Sequence, residues 1–379
     1  MLAGRALRPA LVNTRRPVVT TSSLKTRSHH LLASSVSMTN AVRRGGRLEP
    51  KLGAPFRNFS FGSIPSALVP PVVFTGLLVG LWTYKCIMTV LFQDKIIYMP
   101  YMPPFARSER IEDYAAGCKP VQWAETHIKS LDGTKIALGI GEIPPECKTD
   151  QQTRHTVICY FHGNGGSVPP RLPLLSNTLK LIHARSTEPT RFTLVALSYR
   201  GYWTSSGRAT ERGIKLDAQA MLDWVTATYP DANIFCWGQS IGAGVACTAV
   251  AKHSSTGNPI SGLILETPFT SIKSMLLALY PQKWLPYQYL HPFLWNHWDS
   301  EAALRRIAGG EQRPKILLLP ATRDEVVPPV EIEKLVRVCE EVGLETTRVN
   351  VIGALHTEAT TRREGQEAVA GFVVGLQRK

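Results

Sequence analysis

A serine hydroxyl becomes a nucleophile only where the backbone exposes it and a base can take its proton. One stretch of this sequence meets the first condition: Asn233-Ile-Phe-Cys-Trp-Gly-Gln-Ser-Ile-Gly-Ala-Gly244. The apolar, aromatic run Ile234 to Trp237 reads as a strand, and the small residues from Ala243 towards Lys252 read as a helix. Between them, Gly238-Gln-Ser-Ile-Gly242 has the G-x-S-x-G spacing of a nucleophile elbow. Glycines two before and two after Ser240 let the chain turn without a Cβ clash. The serine is then strained at the apex, with its Oγ exposed and the Ile241 amide facing the same space. The pentapeptide alone also fits an ordinary strand-to-helix turn, so its partners have to be found elsewhere in the chain.

A base and an acid follow. His356, in Gly353-Ala-Leu-His356 after the apolar run Thr347–Val351, is the only histidine beyond residue 297. Asp324, after the run Lys315–Leu319, is the candidate acid, with Glu325 beside it as a local competitor. Glu266, at the end of Gly262–Leu265, is a further alternative. Ser240, Asp324, His356 is the triad order of an α/β-hydrolase. In that chemistry His356 takes the serine proton and returns it to the leaving group, while Asp324 fixes the imidazole tautomer and stabilises its charged form. Gly163-Asn164-Gly165-Gly166, after Thr156–Phe161 and His162, offers glycines and amides for an oxyanion. The expected oxyanion hole pairs the Ile241 amide with that of Asn164 or Gly165. The loop lacks the Lys-Ser/Thr of a phosphate cradle.

These groups need a rigid frame. Thr126–Leu131, Asp132-Gly133 and Lys135–Ile143 predict a hairpin. Further strands are predicted at Thr156–Phe161, Phe192–Leu197, Ile234–Trp237, Gly262–Leu265, Lys315–Leu319 and Thr347–Val351. Helical patterns alternate with them at Arg171–Ala184, Ala209–Thr228, Ile241–His253, Ser271–Leu279, Pro329–Val342 and Arg362–Leu376. Short apolar strands between helices indicate a mainly parallel sheet covered on both faces, with its site at the strands' carboxyl ends. The fold class is α/β, an α/β-hydrolase fold over 119–379. From Tyr280 to Trp298 seven aromatics accompany Pro281, Pro286 and Pro292. This segment predicts a small cap over about 280–298, with Tyr280, Trp284 and Phe293 lining an apolar substrate pocket; His291 and His297 read as structural.

The formal net charge of +14 is not spread evenly. Residues 1–60 hold eleven Lys or Arg and a single acid, Glu49, leaving only +4 on the remaining 319 residues. The basic residues are dispersed and accompany no nucleic-acid module, so no nucleic-acid partner is expected. An Arg- and Ser-rich, acid-poor start suits a mitochondrial transit peptide as well as a disordered tail, with Met1 or Met38 as the start. No charge occurs from Asn58 to Tyr84, and the apolar run resumes after Lys85. A transmembrane helix is expected within 66–92, with Pro70 and Pro71 in its first turn and Lys85 placed most easily at the end of a helix covering 66–84. The basic excess before it puts the N-terminus in the cytosol or matrix. A connector over 93–118 would then lead to the domain. Seven scattered cysteines without C-x-x-C argue against a disulfide framework, and no metal or cofactor site is expected.

Several motifs together resemble one family. They are Tyr160-Phe-His-Gly-Asn-Gly-Gly166, Ser198-Tyr-Arg-Gly-Tyr202, Ser206-Gly207, Leu216-Asp-Ala-Gln219, Gly238-Gln-Ser-Ile-Gly242, Glu266-Thr-Pro-Phe-Thr-Ser271 and Trp298-Asp-Ser300. The set is similar to the membrane-anchored α/β-hydrolase domain-containing proteins of the bud-emergence type, relatives of the serine aminopeptidase-like hydrolases, over about 66–379. The resemblance implies a serine hydrolase with Ser240, Asp324 and His356 as its triad, and some relatives resemble depalmitoylases. Ala243 stands where a second glycine is usual, Gly165 replaces a common alanine, and the basic tail is longer than the pattern. Family membership points to endomembranes such as the ER, whereas the tail points to mitochondria. The expected activity is cleavage of lipophilic carboxylic esters or thioesters, acyl-proteins included. A peptidase of the same fold and a non-catalytic scaffold are the alternatives.

Overall fold

The computed structural model describes residues 65–143, 154–253 and 259–377. The expected basic tail, both candidate start methionines and Cys147 lie outside the described residues. A 3-10 turn at Ser66–Leu68 leads into α1 (Val69–Leu91), whose first turn holds Pro70 and Pro71. The stretch Ser66–Leu91 is long and apolar enough to cross a membrane, and none of α1 is buried. The helix does not stop before Lys85. It continues because Cys86 to Leu91 is apolar and because the ammonium finds a partner, Nζ lying 5.1 Å from the ring centre of Tyr287. Next come α2 (Gln93–Tyr98) and α3 (Ala115–Cys118). The expected connector is therefore packed structure. Tyr98 is buried, donating to Asn296 Oδ1 (2.6 Å) and accepting from Trp298 Nε1 (2.9 Å).

Among the described residues, eight strands form one sheet in the order β1-β2-β4-β3-β5-β6-β7-β8. They are β1 (Gln122–Lys129), β2 (Lys135–Glu142), β3 (Arg154–Phe161), β4 (Thr190–Ser198), β5 (Asn233–Gln239), β6 (Ile260–Glu266), β7 (Lys315–Leu319) and β8 (Thr346–Arg348). The hairpin β1-β2 is antiparallel and adds to β4 antiparallel; every later pairing is parallel. The sheet is covered by α4 (Leu172–Arg185), α5 (Glu211–Thr228), α6 (Ile241–His253), α8 (Ser300–Gly309), α9 (Pro329–Glu341) and α10 (Arg363–Gln377). A shorter helix, α7 (Ile272–Leu279), leads into the aromatic segment.

Strand β5 shows why this sheet is buried on both faces. Ile234 and Cys236 join the core beneath Val245, Leu222 and Leu304, while Phe235 and Trp237 join the core beneath Leu175, Leu179 and Val373. Helix α8 was not expected from sequence, although Asp299 caps it by accepting from the Ala302 amide at 2.8 Å and Gly309-Gly310 ends it. The strand expected over Thr347–Val351 is regular only to Arg348, with an isolated bridge from Val351 to Ala321 prolonging it.

An ionic cluster, buried at Arg200 and Asp217, ties the hairpin to the sheet. Arg200, after β4, donates to Asp217 Oδ1 of α5 and to Asp132 Oδ2 of the β1-β2 turn, both at 2.7 Å. Gly213 leaves room for the guanidinium, since a Cβ there would come within 2.5 Å of Arg200 Cδ. Removing one partner of such a cluster strands a charge. Asp217→Ala is expected to cost about 3–5 kcal/mol, read as a lowered denaturation midpoint of the detergent-solubilised protein.

Candidate active site

Ser240 stands between the last residue of β5 and the first of α6, at φ +54°. This left-handed conformation is unfavourable for a residue with a Cβ and is sustained by its surroundings. The Ser240 amide donates to Glu266 O (2.9 Å), and Ser240 O accepts from the Ala243 amide (2.9 Å). The flanking glycines are required by space. A Cβ on Gly238 would lie 2.2 Å from Gly242 O, and one on Gly242 would lie 2.1 Å from Phe161 O.

The other two candidate groups arrive on loops after β7 and β8. His356 Nε2 lies 2.8 Å from Ser240 Oγ, and its Nδ1 lies 2.9 and 3.0 Å from the two Asp324 oxygens. A carboxylate only accepts, so Nδ1 carries the proton and donates, leaving Nε2 as the acceptor for the serine hydroxyl. Asp324 is held in turn, Oδ1 accepting from the amides of Val326 (2.9 Å) and Val327 (2.7 Å). Glu325, the local competitor, has a different place: its Oε2 accepts from the His356 backbone amide at 2.9 Å. The loops are laced together further by Arg323 N to Ala354 O (2.9 Å) and Gly353 N to Thr322 Oγ1 (2.8 Å).

Glu266 is fully buried, and its carboxyl is engaged by groups other than the imidazole. Its carboxyl accepts from Trp237 Nε1 (3.0 Å), Gln239 Nε2 (3.3 Å), and the Thr360 amide (3.1 Å) and hydroxyl (2.7 Å). Burial pushes its pKa up, against the pull of those donors. It joins the elbow strand to the segment that follows His356.

The glycine-rich loop stands over the elbow. His162 is buried, its Nδ1 2.7 Å from Gly163 O; burial, with the Arg171 charge, pushes its pKa down to about 3 and keeps the ring neutral. Arg171 donates to Gln239 Oε1 (2.9 Å) and Gly165 O (3.0 Å). A cavity of about 410 Å³ opens here, bordered by Asn164, Ser240, Ile241 and His356 on its polar side. Asn164 borders it and Gly165 does not. Its apolar wall comes from Phe269, Ile272, Met275, Leu279 and Val326, with Ile97 and Met99 from the N-terminal side. The expected pocket residues Tyr280, Trp284 and Phe293 are not on it. Prolines keep their segment in a 3-10 conformation at Pro286–Phe293 that leans on α1, where Trp284 meets Trp82 with ring centres 6.1 Å apart. The wall residues Ile272, Met275 and Leu279 follow the helical spacing expected over Ser271–Leu279, a helix to which the sequence attached no pocket role.

The sheet order, the elbow and the strand-end loops match one known architecture. A model of the alpha/beta hydrolase fold matches residues 156–314. The chain has the alpha/beta hydrolase fold. It is 32% identical to Protein bem46 of Schizosaccharomyces pombe over 191 residues, covering 50% of this chain and 57% of that protein. It is 26% identical to the alpha/beta hydrolase domain-containing protein WAV2 of Arabidopsis thaliana, covering 71% of this chain and 82% of that one. The lysophosphatidylserine lipase ABHD12 of Danio rerio is 33% identical over 182 residues, or 47% and 45% of the two chains. The chain thus spans about half the length of bem46 and ABHD12. The crystal structure of an alpha-beta hydrolase from Vibrio vulnificus superposes with a TM-score of 0.57 at 20% identity, over 75% of this chain and 92% of that one.

Among these features, Glu266 lends itself to a direct test. Glu266→Ala leaves several buried donors without an acceptor, at about 1–3 kcal/mol each. The expected result is a strong loss of thermal stability, with Glu266→Gln clearly milder because it retains an acceptor oxygen.

Proposed function

We propose that this chain is a membrane-anchored serine hydrolase cleaving carboxylic ester or thioester bonds of lipophilic acyl substrates. The observation that carries the reading is the unbroken chain of short contacts from Ser240 through His356 to Asp324 at the polar side of an apolar cavity. Ser240 Oγ attacks the acyl carbonyl as its proton passes to His356 Nε2, and Asp324 stabilises the imidazolium that forms. The Ile241 and Asn164 amides hold the oxyanion, each such donor contributing about 2.7–4 kcal/mol to the transition state. The tetrahedral intermediate collapses to an acyl-enzyme while His356 protonates the departing alcohol or thiol. Water, activated by the same imidazole, then releases the acid and restores the serine.

Cavity chemistry supports a lipid over a peptide. No carboxylate borders it that would read a substrate amine, as an aminopeptidase needs, and Arg171 is its one permanent charge among the described residues. Lipid esters and acyl-proteins are the two candidate substrate classes; the lipase name of a relative favours the former. Arg171 would suit an anionic group beside the scissile bond. The apolar helix Ser66–Leu91 is the proposed single-pass anchor, in the ER and related endomembranes or in the mitochondrion.

Fluorophosphonate labelling of the full-length protein should modify Ser240, and Ser240→Ala should remove both label and hydrolysis; labelling that persists in that variant sinks the proposal. Asp324→Asn, which disturbs the imidazole tautomer, should lower kcat by about 10⁴-fold with little change in stability. Met275 is a buried part of the apolar wall. Met275→Trp should shorten the preferred acyl chain, seen as a drop in kcat/KM for long-chain relative to short-chain esters.

A further inference from the structure

A set of exposed aromatics that do not border the cavity forms a surface of its own. They lie on residues 92–105 and 277–295, with Trp284 69%, Phe293 61% and Phe105 83% exposed. Hydrogen bonds join the two segments: Gln93 Nε2 donates to Phe293 O (3.1 Å), and Trp295 Nε1 and Asn296 Nδ2 donate to Asp94 Oδ1 (3.0 and 2.8 Å). Apolar exposure on this scale marks an interaction surface, and tryptophan and tyrosine are the residues that suit a membrane boundary.

Its partner is indicated by α1. That helix runs almost directly into α2, and Trp82 on it touches Trp284. Spanning a hydrocarbon core takes about 20 residues. Every such window within Ser66–Leu91 contains Trp82, so wherever the bilayer sits on the helix, Trp82 is within it. Trp284, in contact with Trp82, is then at bilayer depth rather than in water. Met99 and Leu279 are at once exposed and part of the cavity wall, which puts the mouth on this same surface.

We propose that residues 92–105 and 277–295 seat the domain in the headgroup–acyl boundary of the bilayer that α1 crosses, so that the cavity opens to lipid. Substrate enters sideways from the membrane, its acyl chain passing from bilayer to cavity without crossing water. The seat stands on the geometry alone; the entry route rests on the hydrolase reading.

Two measurements separate these parts. The full-length chain carrying Phe293→Cys, labelled with a small fluorophore in phosphatidylcholine nanodiscs, should be quenched at least twofold by brominated acyl chains and little by iodide. Glu188→Cys, at the opposite end of the sheet, should behave in the reverse way. Iodide quenching at 293 that matches 188 overturns the seat, whether or not the protein hydrolyses anything. For the route, Trp284→Glu/Phe293→Glu should lower turnover of 4-methylumbelliferyl oleate dissolved in the nanodisc at least tenfold, while p-nitrophenyl acetate hydrolysis changes less than twofold. Equal effects on the two esters overturn the route. If the double variant does not fold, Phe293→Glu alone is read in the same two assays, with the same ratio deciding.

Discussion

The structure depends on how closely two pieces of backbone approach at the elbow. Gly242 lies so near Phe161 O that no side chain would fit between them. That approach presses the start of α6 onto the end of β3, the point from which the glycine-rich loop departs. One steric constraint therefore aligns the serine, the amide after it and the loop amides that share its cavity. The positive φ of Ser240 belongs to the same arrangement, and the Glu266 carbonyl and Ala243 amide secure it from either side. A Cβ at either flanking glycine would disturb the proposed nucleophile and the proposed oxyanion donors together.

The imidazole is placed by different means. It sits on a loop after β8, a strand of only three regular residues at the sheet edge. Such an edge holds little by itself, and the loop is fixed mainly by bonds to its neighbour after β7. Adjacent carboxylates divide that work, Asp324 meeting the ring and Glu325 the backbone amide of the same histidine. Glu266 anchors the far end through Thr360. Three acids thus have three different partners: the imidazole, the backbone amide of the same histidine, and Thr360.

The segment between α1 and the sheet joins the apolar helix to this machinery. Tyr98 is locked among Asn296, Trp298 and the Tyr202 hydroxyl, and Gln93 and Asp94 hold the aromatic segment beside α1. Because Ile97 and Met99 line the cavity, a shift of the helix end relative to the sheet would reshape the apolar wall as well.

The elbow, the strand–helix alternation, the apolar helix and the chain order Ser240, Asp324, His356 are legible in the sequence because each rests on local spacing. Glycines at fixed offsets, apolar runs of strand length and a 26-residue apolar stretch retain their meaning without neighbours. The tertiary structure decided what depends on distant segments meeting. Asp324, Glu325 and Glu266 all carry carboxylates, and only the packed structure puts the first against the imidazole. Tyr280, Trp284 and Phe293 have the composition of a pocket, yet prolines and the contact with α1 turn them outward, leaving α7 and residues 97–99 to form the wall. Residue type and spacing determined the chemistry available to this chain; the packing of segments more than 100 residues apart decided which side chains meet.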